Sequence, residues 1–214
     1  MQGSRATAKS GAIPNHGEET PAYQVLAQHG LLDASYRIET AEEIDALPEN
    51  ATRLGNCLLS CFCCPLKCFF STFEVNAATL KLVEDGRGSF MFYGEGVHRI
   101  CDPFYTVGNT VKYNKGAVVH GDRTLVVVQQ GQIGYCQDQG HPILLPPGLH
   151  QWRSPTMVFE KVFDLNNNVV RMGPLTLVTV DSGYSAVTED NGMQKILVGG
   201  NTYLLTHRNW KFQK

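Results

Sequence analysis

Apolar and polar residues alternate over short runs from about residue 70 to the end of the chain. Val, Thr, Tyr and Phe are frequent in these runs, and pairs containing Gly, Asn, Asp or Pro separate them, which is typical of short antiparallel strands. Asn191-Gly192, between Ala186-Val187-Thr188 and Ile196-Leu197-Val198, predicts a hairpin with a type I′ turn. The pattern therefore predicts a mainly β fold.

The β pattern occurs three times along the chain. Equivalent residues lie 52 positions apart and, after a one-residue insertion, 53 apart. The pairs at 52 are Gly131 with Gly183, Asp138 with Asp190 and His98 with His150, and the pairs at 53 are Ile143 with Ile196 and Phe159 with Phe212. A period of about fifty residues predicts a small antiparallel β-unit stacked on copies of itself. Such units build surfaces and shells more often than catalytic pockets, which favours a non-enzymatic role.

Each unit is predicted to present one strand to the stacked core. This strand follows a Pro-Gly or Gly-Gly turn, and every second side chain on it shares a face. The residues predicted on that face are His98 and Ile100 in the first copy, His150 and Trp152 in the second, and Tyr203 and Leu205 in the third. The repeat also assigns Gln139-Gly140 to the same turn as Asn191-Gly192.

Composition and turn signals divide the chain into six segments. These are a disordered leader at 1–22, a short helical linker at 23–56, a cysteine-rich membrane-contact segment at 57–70, and β-units at 71–119, 120–172 and 173–214. The leader has almost no large apolar residue, which is typical of disorder. In the linker, Tyr23 to Leu32 predicts one short helix, and the capping box Thr40-Ala41-Glu42-Glu43 predicts a second.

Overall composition narrows the class of protein. The 214 residues are 43% hydrophobic and 18% charged, with a formal net charge of −2. Lys and Arg are scattered, so no basic footprint for nucleic acid is present. The start Met1-Gln2-Gly3-Ser4 has no apolar signal segment, and no apolar window reaches the ~18 residues of a spanning helix. We expect an intracellular chain whose thiols stay reduced.

Two segments of the chain contain the same short motifs in the same order. Val128-Gln129-Gln130-Gly131-Gln132-Ile133-Gly134-Tyr135 precedes Leu145-Pro146-Pro147-Gly148-Leu149-His150, and Phe73-Glu74-Val75 precedes Tyr93-Gly94-Glu95-Gly96-Val97-His98. These segments resemble the opening of the SPFH, or band 7, domain of stomatins, prohibitins and flotillins. The tandem copies also resemble the repeat arm of the major vault protein. The resemblance covers about residues 70–214.

The resemblance implies a membrane-associated scaffold that associates with itself or with related band 7 proteins. It rests on short strands and a Pro-Gly turn, so it implies no catalytic residue, cofactor, metal or small-molecule substrate. The third unit is expected to be the start of a band-7-like domain, and truncation relative to the family is one interpretation that stays open. The membrane hairpin that the family carries before this domain has no counterpart, and the cysteine-rich segment takes its place.

The cysteine-rich segment is the main candidate for chemistry. Its candidate lipidation sites are Cys57, Cys61, Cys63, Cys64 and Cys68, and its candidate membrane-contact residues are Leu58, Leu59, Phe62, Leu66, Phe69 and Phe70. Thiols clustered in an apolar stretch that is too short to span a bilayer suit S-acylation, and two or more acyl chains bind a membrane stably. Two other interpretations stay open: a zinc site, and an apolar segment packed on the β-units.

Other candidate sites have less support in the sequence. His98, His120, His141 and His150 would have to meet in a small barrel to bind a metal, and no His-x-His pair accompanies them. Cys136 with His150 would form a nucleophile pair, but no orienting motif is present. The segment Asp85-Gly86-Arg87-Gly88 is predicted to be a hairpin turn because it opens no helix.

The sequence therefore favours a non-catalytic scaffold on the cytoplasmic face of a membrane. Acyl chains on the cysteines would enter the leaflet, and the β-units would pack laterally on its surface. The alternative is a soluble vault-like shell or protein-interaction module, in which the cysteine-rich segment is packed against protein.

Overall fold

The computed structural model describes residues 20–39, 44, 71–85, 87–100, 105–114 and 116–214, and over these residues the chain is mainly β. In this part, a helix, α1 (Pro21–Gln28), and a two-residue strand, β1 (Arg37–Ile38), precede the longer strands. The predictions for residues 1–19, for the capping box at 40–43 and for the cysteine-rich segment at 57–70 lie outside the described residues.

Three β-units follow, and each has five strands that we name A to E in chain order. Unit 1 consists of β2 (Ser71–Val75), β3 (Thr79–Asp85), β4 (Ser89–Tyr93), β5 (Gly96–Ile100) and β6 (Tyr105–Lys112). After β7 (Gly116–His120), unit 2 consists of β8 (Arg123–Val128), β9 (Gln132–Asp138), β10 (His141–Leu145), β11 (Gly148–Arg153) and β12 (Met157–Asp164). After β13 (Val169–Met172), unit 3 consists of β14 (Leu175–Val180), β15 (Ser185–Asp190), β16 (Met193–Val198), β17 (Asn201–Leu205) and β18 (Trp210–Phe212).

All three units have the same antiparallel strand pairing. Strand A pairs with D, and strand B pairs with both C and E, so each unit contains an AD sheet and a CBE sheet. In the strand register, Val75, Val128 and Val180 are equivalent residues of strand A, so the offset is 53 from unit 1 to unit 2 and 52 from unit 2 to unit 3. The predicted fold class, tandem small antiparallel β-units with a period of about 52 residues, is therefore confirmed.

The AD sheets of units 2 and 3 are widened by further strands. β7 pairs with strand A of unit 2, β13 pairs with strand A of unit 3, and β1 pairs with strand D of unit 2. The boundaries predicted at 120 and 173 fall at the C-terminal ends of β7 and β13. By hydrogen bonding, both strands belong with the unit that follows them.

The sheets are stacked in a row of alternating AD and CBE layers. Inside each unit, buried side chains pack the AD sheet on the CBE sheet. Between units, the CBE sheet of one unit packs on the AD sheet of the next. An inner sheet is therefore covered on both faces, which explains the near-continuous apolar runs of strand A in units 2 and 3, Thr124–Val128 and Leu175–Val180. Strand A of unit 1, Ser-Thr-Phe-Glu-Val, alternates instead.

The predicted hairpin turns are confirmed at residue level. Asn191 and Gly192 have φ of 50° and 86°, and Gln139 and Gly140 have φ of 50° and 84°. Positive φ at both central residues defines a type I′ turn, which matches the right-handed twist of the flanking strands. Asp85 and Ser89 close a hairpin between strands B and C of unit 1, as predicted.

The one-residue insertion in unit 3 lies later than the sequence comparison placed it. His141 and Met193 both follow the B–C turn directly and are 52 positions apart, whereas strand D begins at Gly148 and Asn201, 53 positions apart. The extra residue is therefore in the C–D turn. As a result, Ile196 is the structural counterpart of Leu144, and the pairing of Ile196 with Ile143 inferred from sequence was wrong.

The described part of the N-terminal segment packs on the stack and differs from the prediction at two places. Thr20 caps α1, Pro21 begins it and Ala22 is buried, so the predicted disordered leader at 1–22 does not extend through residues 20–22. Pro is favoured at this first position because its fixed φ suits the helix and its missing N–H is not needed there. The predicted helical linker at 23–56 also contains β1, whose Arg37 and Ile38 pair with strand D of unit 2.

Candidate functional site

The contacts between consecutive units are the most regular feature of the molecule. Joint 1–2, the contact between units 1 and 2, buries Leu80 and Phe92 of unit 1 against Val118 and Leu125 of the next AD sheet. Ile44 of the N-terminal segment packs into the same cluster. Each large apolar side chain that is fully buried contributes about 1.5–3 kcal/mol, so these residues hold the two units together.

Joint 2–3, the contact between units 2 and 3, repeats this arrangement one unit further along. Tyr135 and Leu144 of unit 2 pack against Leu177 and Leu204 of unit 3. Leu26 of α1, which is fully buried, lies in the same cluster. The N-terminal segment therefore contacts both joints, with α1 beside strand D of unit 3 and β1 beside strand D of unit 2.

A glycine at the start of each following unit fits under an aromatic ring of the unit before it. Gly121 has φ of 60°, and a Cβ added there would overlap the ring of Phe90. Gly173, 52 positions later, has φ of 59°, and a Cβ there would overlap the Tyr135 hydroxyl. Glycine is required at both positions because φ is positive and because the ring leaves no room for a side chain. These two glycines were not predicted from the sequence, although their spacing of 52 is visible there.

A ring on strand D closes the C–D turn in every unit. His98 Nε2 lies 2.8 Å from the carbonyl oxygen of Gly94, and His150 Nε2 lies 2.7 Å from that of Pro146. In unit 3 the hydroxyl of Tyr203 donates to the carbonyl oxygen of Val198 at 2.9 Å. A carbonyl oxygen only accepts, so both histidines carry their proton on Nε2. These residues occupy the equivalent strand-D positions that the sequence predicted.

The proposed pairing of Cys136 with His150 does not have the properties of an activated nucleophile. Burial, followed by the negative charge of Glu160, raises the pKa of the Cys136 thiol to about 12. The thiolate is the reactive form, so this thiol stays protonated and inert near neutral pH. Burial lowers the pKa of His150, against the opposing effect of its bond to Pro146. Both side chains are fully buried in the structure.

The remaining histidines of the proposed metal site also serve other contacts or lie apart. His120 Nε2 donates to the carbonyl oxygen of Val83 at 3.0 Å and thereby links β7 to strand B of unit 1. Its ring lies edge-on to Phe90, with 4.9 Å between the ring centroids. His141 is exposed at the B–C turn of unit 2. Within the described residues, no three His, Cys, Asp or Glu side chains are grouped so as to hold a metal ion.

The two ends of the stack are exposed sheet faces. The tail face, which we define as the outer face of the CBE sheet of unit 3, includes Ile196 with 71% of its surface exposed and Val198 with 65%. The counterparts of Ile196 inside the stack, Phe92 and Leu144, are 0% and 1% exposed. The head face, the outer face of the AD sheet of unit 1, includes Val97, which is 72% exposed.

Two adjoining cavities lie beside unit 3, the first between units 2 and 3 and the second between the AD and CBE sheets of unit 3. Their volumes are about 440 and 320 Å³, and both are bordered by Arg171 and Phe212. The basic side chains among their described lining residues are Lys161, Arg171, Arg208 and Lys211, and no carboxylate is among them. Lys161 Nζ lies 4.5 Å from the centre of the Phe163 ring. The cavities are open and positively charged, which suits transient contact with anionic groups.

The residues predicted for lipidation and membrane contact cannot be placed relative to these features. Cys57, Cys61, Cys63, Cys64 and Cys68, and the apolar residues between and after them, lie outside the described residues. Among the residues that are described, no helix is both long and apolar enough to cross a membrane. Comparison of the chain with protein-family models, with curated proteins and with solved structures gives no match.

Proposed function

We propose that this protein is a non-catalytic scaffold of stacked β-units that is held on a membrane surface by S-acylated cysteines. The observation that supports a scaffold is the repetition of one joint. Joint 1–2 and joint 2–3 bury equivalent residues in the same layer order and use equivalent glycines, Gly121 and Gly173. A molecule made of nearest-neighbour joints forms an extended rod or surface rather than a single enclosed pocket.

The contacts of the histidines and of the cysteine that were considered for metal binding or nucleophilic chemistry also favour a non-catalytic role. His98 and His150 donate to turn carbonyls, His120 donates across joint 1–2, and Cys136 is protonated near neutral pH. Each of these side chains therefore acts within the fold. In this proposal they stabilise turns and joints, and the surfaces of the stack carry the function.

Membrane attachment in this proposal rests on the composition of residues 57–70 and on the basic cavities. Five thiols among leucines and phenylalanines supply several acylation sites, and each buried CH₂ of an acyl chain adds about 0.8 kcal/mol. The basic side chains that line these cavities attract anionic headgroups, with about 1 kcal/mol per charge near such a surface. The resemblance to band 7 domains agrees with this role.

The alternative function is a soluble vault-like shell or protein-interaction module. The same stack of joints supports it, because a repeat rod needs no membrane to present an extended surface. In that case the cysteine-rich segment packs against protein. The two functions differ in whether the chain binds membranes: the scaffold has to bind them, and the shell or interaction module does not.

A flotation assay of the chain expressed in eukaryotic cells tests the proposal. The wild-type chain is compared with a variant in which Cys57, Cys61, Cys63, Cys64 and Cys68 are Ser, and Cys101→Ser serves as the matched control. Hydroxylamine cleaves thioesters, and neutral Tris is its control. We expect flotation with wild type and with the control, and its loss in the five-residue variant and after hydroxylamine. A wild-type chain that stays at the bottom of the gradient would support the soluble alternative.

A further inference from the structure

The tail face repeats, position by position, the faces that form both joints. In the strand register, Leu82 lies opposite Phe92 in unit 1, Tyr135 opposite Leu144 in unit 2, and Val187 opposite Ile196 in unit 3. The first two pairs are covered by the AD sheet of the following unit. Ile196 has no such cover in the described chain and is 71% exposed. The tail face is thus the open half of a third joint.

The head face corresponds to the other side of a joint, the AD sheet, and it is also exposed. In the register, Val97 of unit 1 pairs with Glu74 just as Leu149 of unit 2 pairs with Val127. Leu149 packs into joint 1–2, in the same cluster as Phe92. Val97 is the counterpart of Leu149, and it is 72% exposed. Units 1 and 3 therefore carry the two complementary sides of the joint.

We propose that the tail face of one copy of this chain docks on the head face of a second copy and continues the stack. Ile196 of one copy then meets Val97 of the next at one contact, as Phe92 and Leu149 lie in one cluster in joint 1–2. Because the two surfaces differ, the contact is heterologous, and it extends into linear ladders of copies. This assembly supplies the self-association of the proposed scaffold and rests on that function. The contact itself forms without a membrane.

The contact between copies is weaker than the joints inside the chain. On the head face, Thr72 replaces Leu125 of unit 2 and Leu177 of unit 3, and Glu74 replaces Val127. Both Thr72 and Glu74 are exposed. A threonine buries less apolar surface than a leucine, so assembly is reversible and grows with protein concentration. The polar substitutions also keep dilute copies apart, as in the terminal repeats of other stacked proteins.

Sedimentation velocity of the full chain, made in bacteria and kept reduced, tests this assembly without lipid or acyl groups. Wild type is compared with Ile196→Asp, which blocks the tail face, and with Val97→Asp, which blocks the head face. Val119→Asp is the matched control because Val119 is 62% exposed on β7 and lies on neither end face. Thermal melting confirms that each variant is folded.

The mixture of the two blocked variants gives the decisive result. We expect wild type and Val119→Asp to grow into ladders with concentration, and each blocked variant alone to stay monomeric. A one-to-one mixture has one intact tail and one intact head, so it should form dimers that grow no further. A monomeric wild type at all concentrations would overturn the proposal. Self-association that Ile196→Asp abolishes and Val97→Asp preserves would also overturn it, since that result indicates a tail-to-tail dimer.

The outcome can be separated from that of the proposed function. Ladder formation without flotation would leave the assembly contact intact and contradict membrane anchoring. Flotation with a monomeric chain in sedimentation would support membrane anchoring and overturn the assembly contact.

Discussion

His150 donates from Nε2 to the carbonyl oxygen of Pro146 at 2.7 Å, and it does so in a fully buried position. The counterpart in unit 1 is the bond from His98 to Gly94. Unit 3 has Tyr203 in this position, and its hydroxyl donates to Val198. Two different side chains thus satisfy the same turn carbonyl, which explains why histidine recurs at this position in units 1 and 2. Among the described residues, His150 Nδ1 is buried without a hydrogen-bond partner.

Replacing His150 by phenylalanine should destabilise the fold at neutral pH. The ring volume is kept, but the buried carbonyl of Pro146 loses its donor, which costs about 1–3 kcal/mol. Tyr203→Phe is the matched control because it removes the equivalent bond at an exposed carbonyl that water can solvate, and it should cost less than about 1 kcal/mol. Urea unfolding followed by circular dichroism measures both. Equal losses in the two variants would contradict a buried hydrogen bond at Pro146.

The same histidine should make stability depend on pH. Burial lowers the pKa of His150 below its ordinary value of 6.5, Arg37 lowers it further, and the Pro146 bond and Asp33 oppose the shift. As pH falls through 6.5, the unfolded chain binds a proton that the folded chain does not. Stability therefore decreases in this range, by at most about 1.4 kcal/mol per pH unit for one group.

The pH effect is measured as the difference in unfolding free energy between pH 7.5 and 5.5. Wild type should lose more stability over this interval than His150→Phe, which cannot titrate at this position. Other groups titrate in both proteins, so only the difference between them reports on His150. An identical pH profile in wild type and His150→Phe would show that His150 has an unperturbed pKa.

Local chemistry explains which parts of the fold could be predicted from the sequence. The type I′ turns were predicted correctly because Asn-Gly tolerates positive φ at both positions, and the repeat carried that prediction to Gln139-Gly140. The leader and linker were predicted less well because Ala22 and Arg37 are ordered by contacts with residues more than a hundred positions away. Such tertiary contacts leave no local pattern.

The joints were missed for a related reason. Sequence alternation shows which residues are apolar, but it does not show which sheet covers them. The offset of 53 also paired Ile196 with Ile143, which concealed its relation to the buried Leu144. Only the strand register places the inserted residue in the C–D turn and identifies Ile196 as an uncovered core position. The spacing of Gly121 and Gly173 was visible, but its meaning depends on the ring packed over each glycine.

Substituting alanine for Gly121 should destabilise joint 1–2 beyond the cost of its backbone conformation. A Cβ at Gly121 overlaps Phe90, so the ring has to move, and overpacking of this kind costs about 1–3 kcal/mol. Gly140→Ala is the matched control, since Gly140 also lies in a two-residue hairpin turn with positive φ but has no atom within 4 Å of an added Cβ. In both variants the new alanine has to adopt a positive φ, which costs about 1–2 kcal/mol.

Urea unfolding gives the unfolding free energies of Gly121→Ala and Gly140→Ala, and the difference between them measures the effect of the Phe90 ring. Gly121→Ala should destabilise a Phe90→Ala chain less than it destabilises the wild type, because the overlapping ring is then absent. If Gly121→Ala and Gly140→Ala are equally destabilised, the ring of Phe90 does not constrain the joint.

Truncating Leu26 to alanine should show that α1 is part of joint 2–3. Leu26 is fully buried and packs with Leu144, Leu177 and Leu204, so its removal leaves a cavity and should cost about 2–5 kcal/mol. Gln28→Ala, at the exposed end of the same helix, should change stability by less than about 0.5 kcal/mol. Hydrogen exchange adds a local readout, because protection of strand D of unit 3, which lies beside α1, should fall more than that of unit 1. A Leu26→Ala chain as stable as wild type would mean that the helix does not dock on the stack.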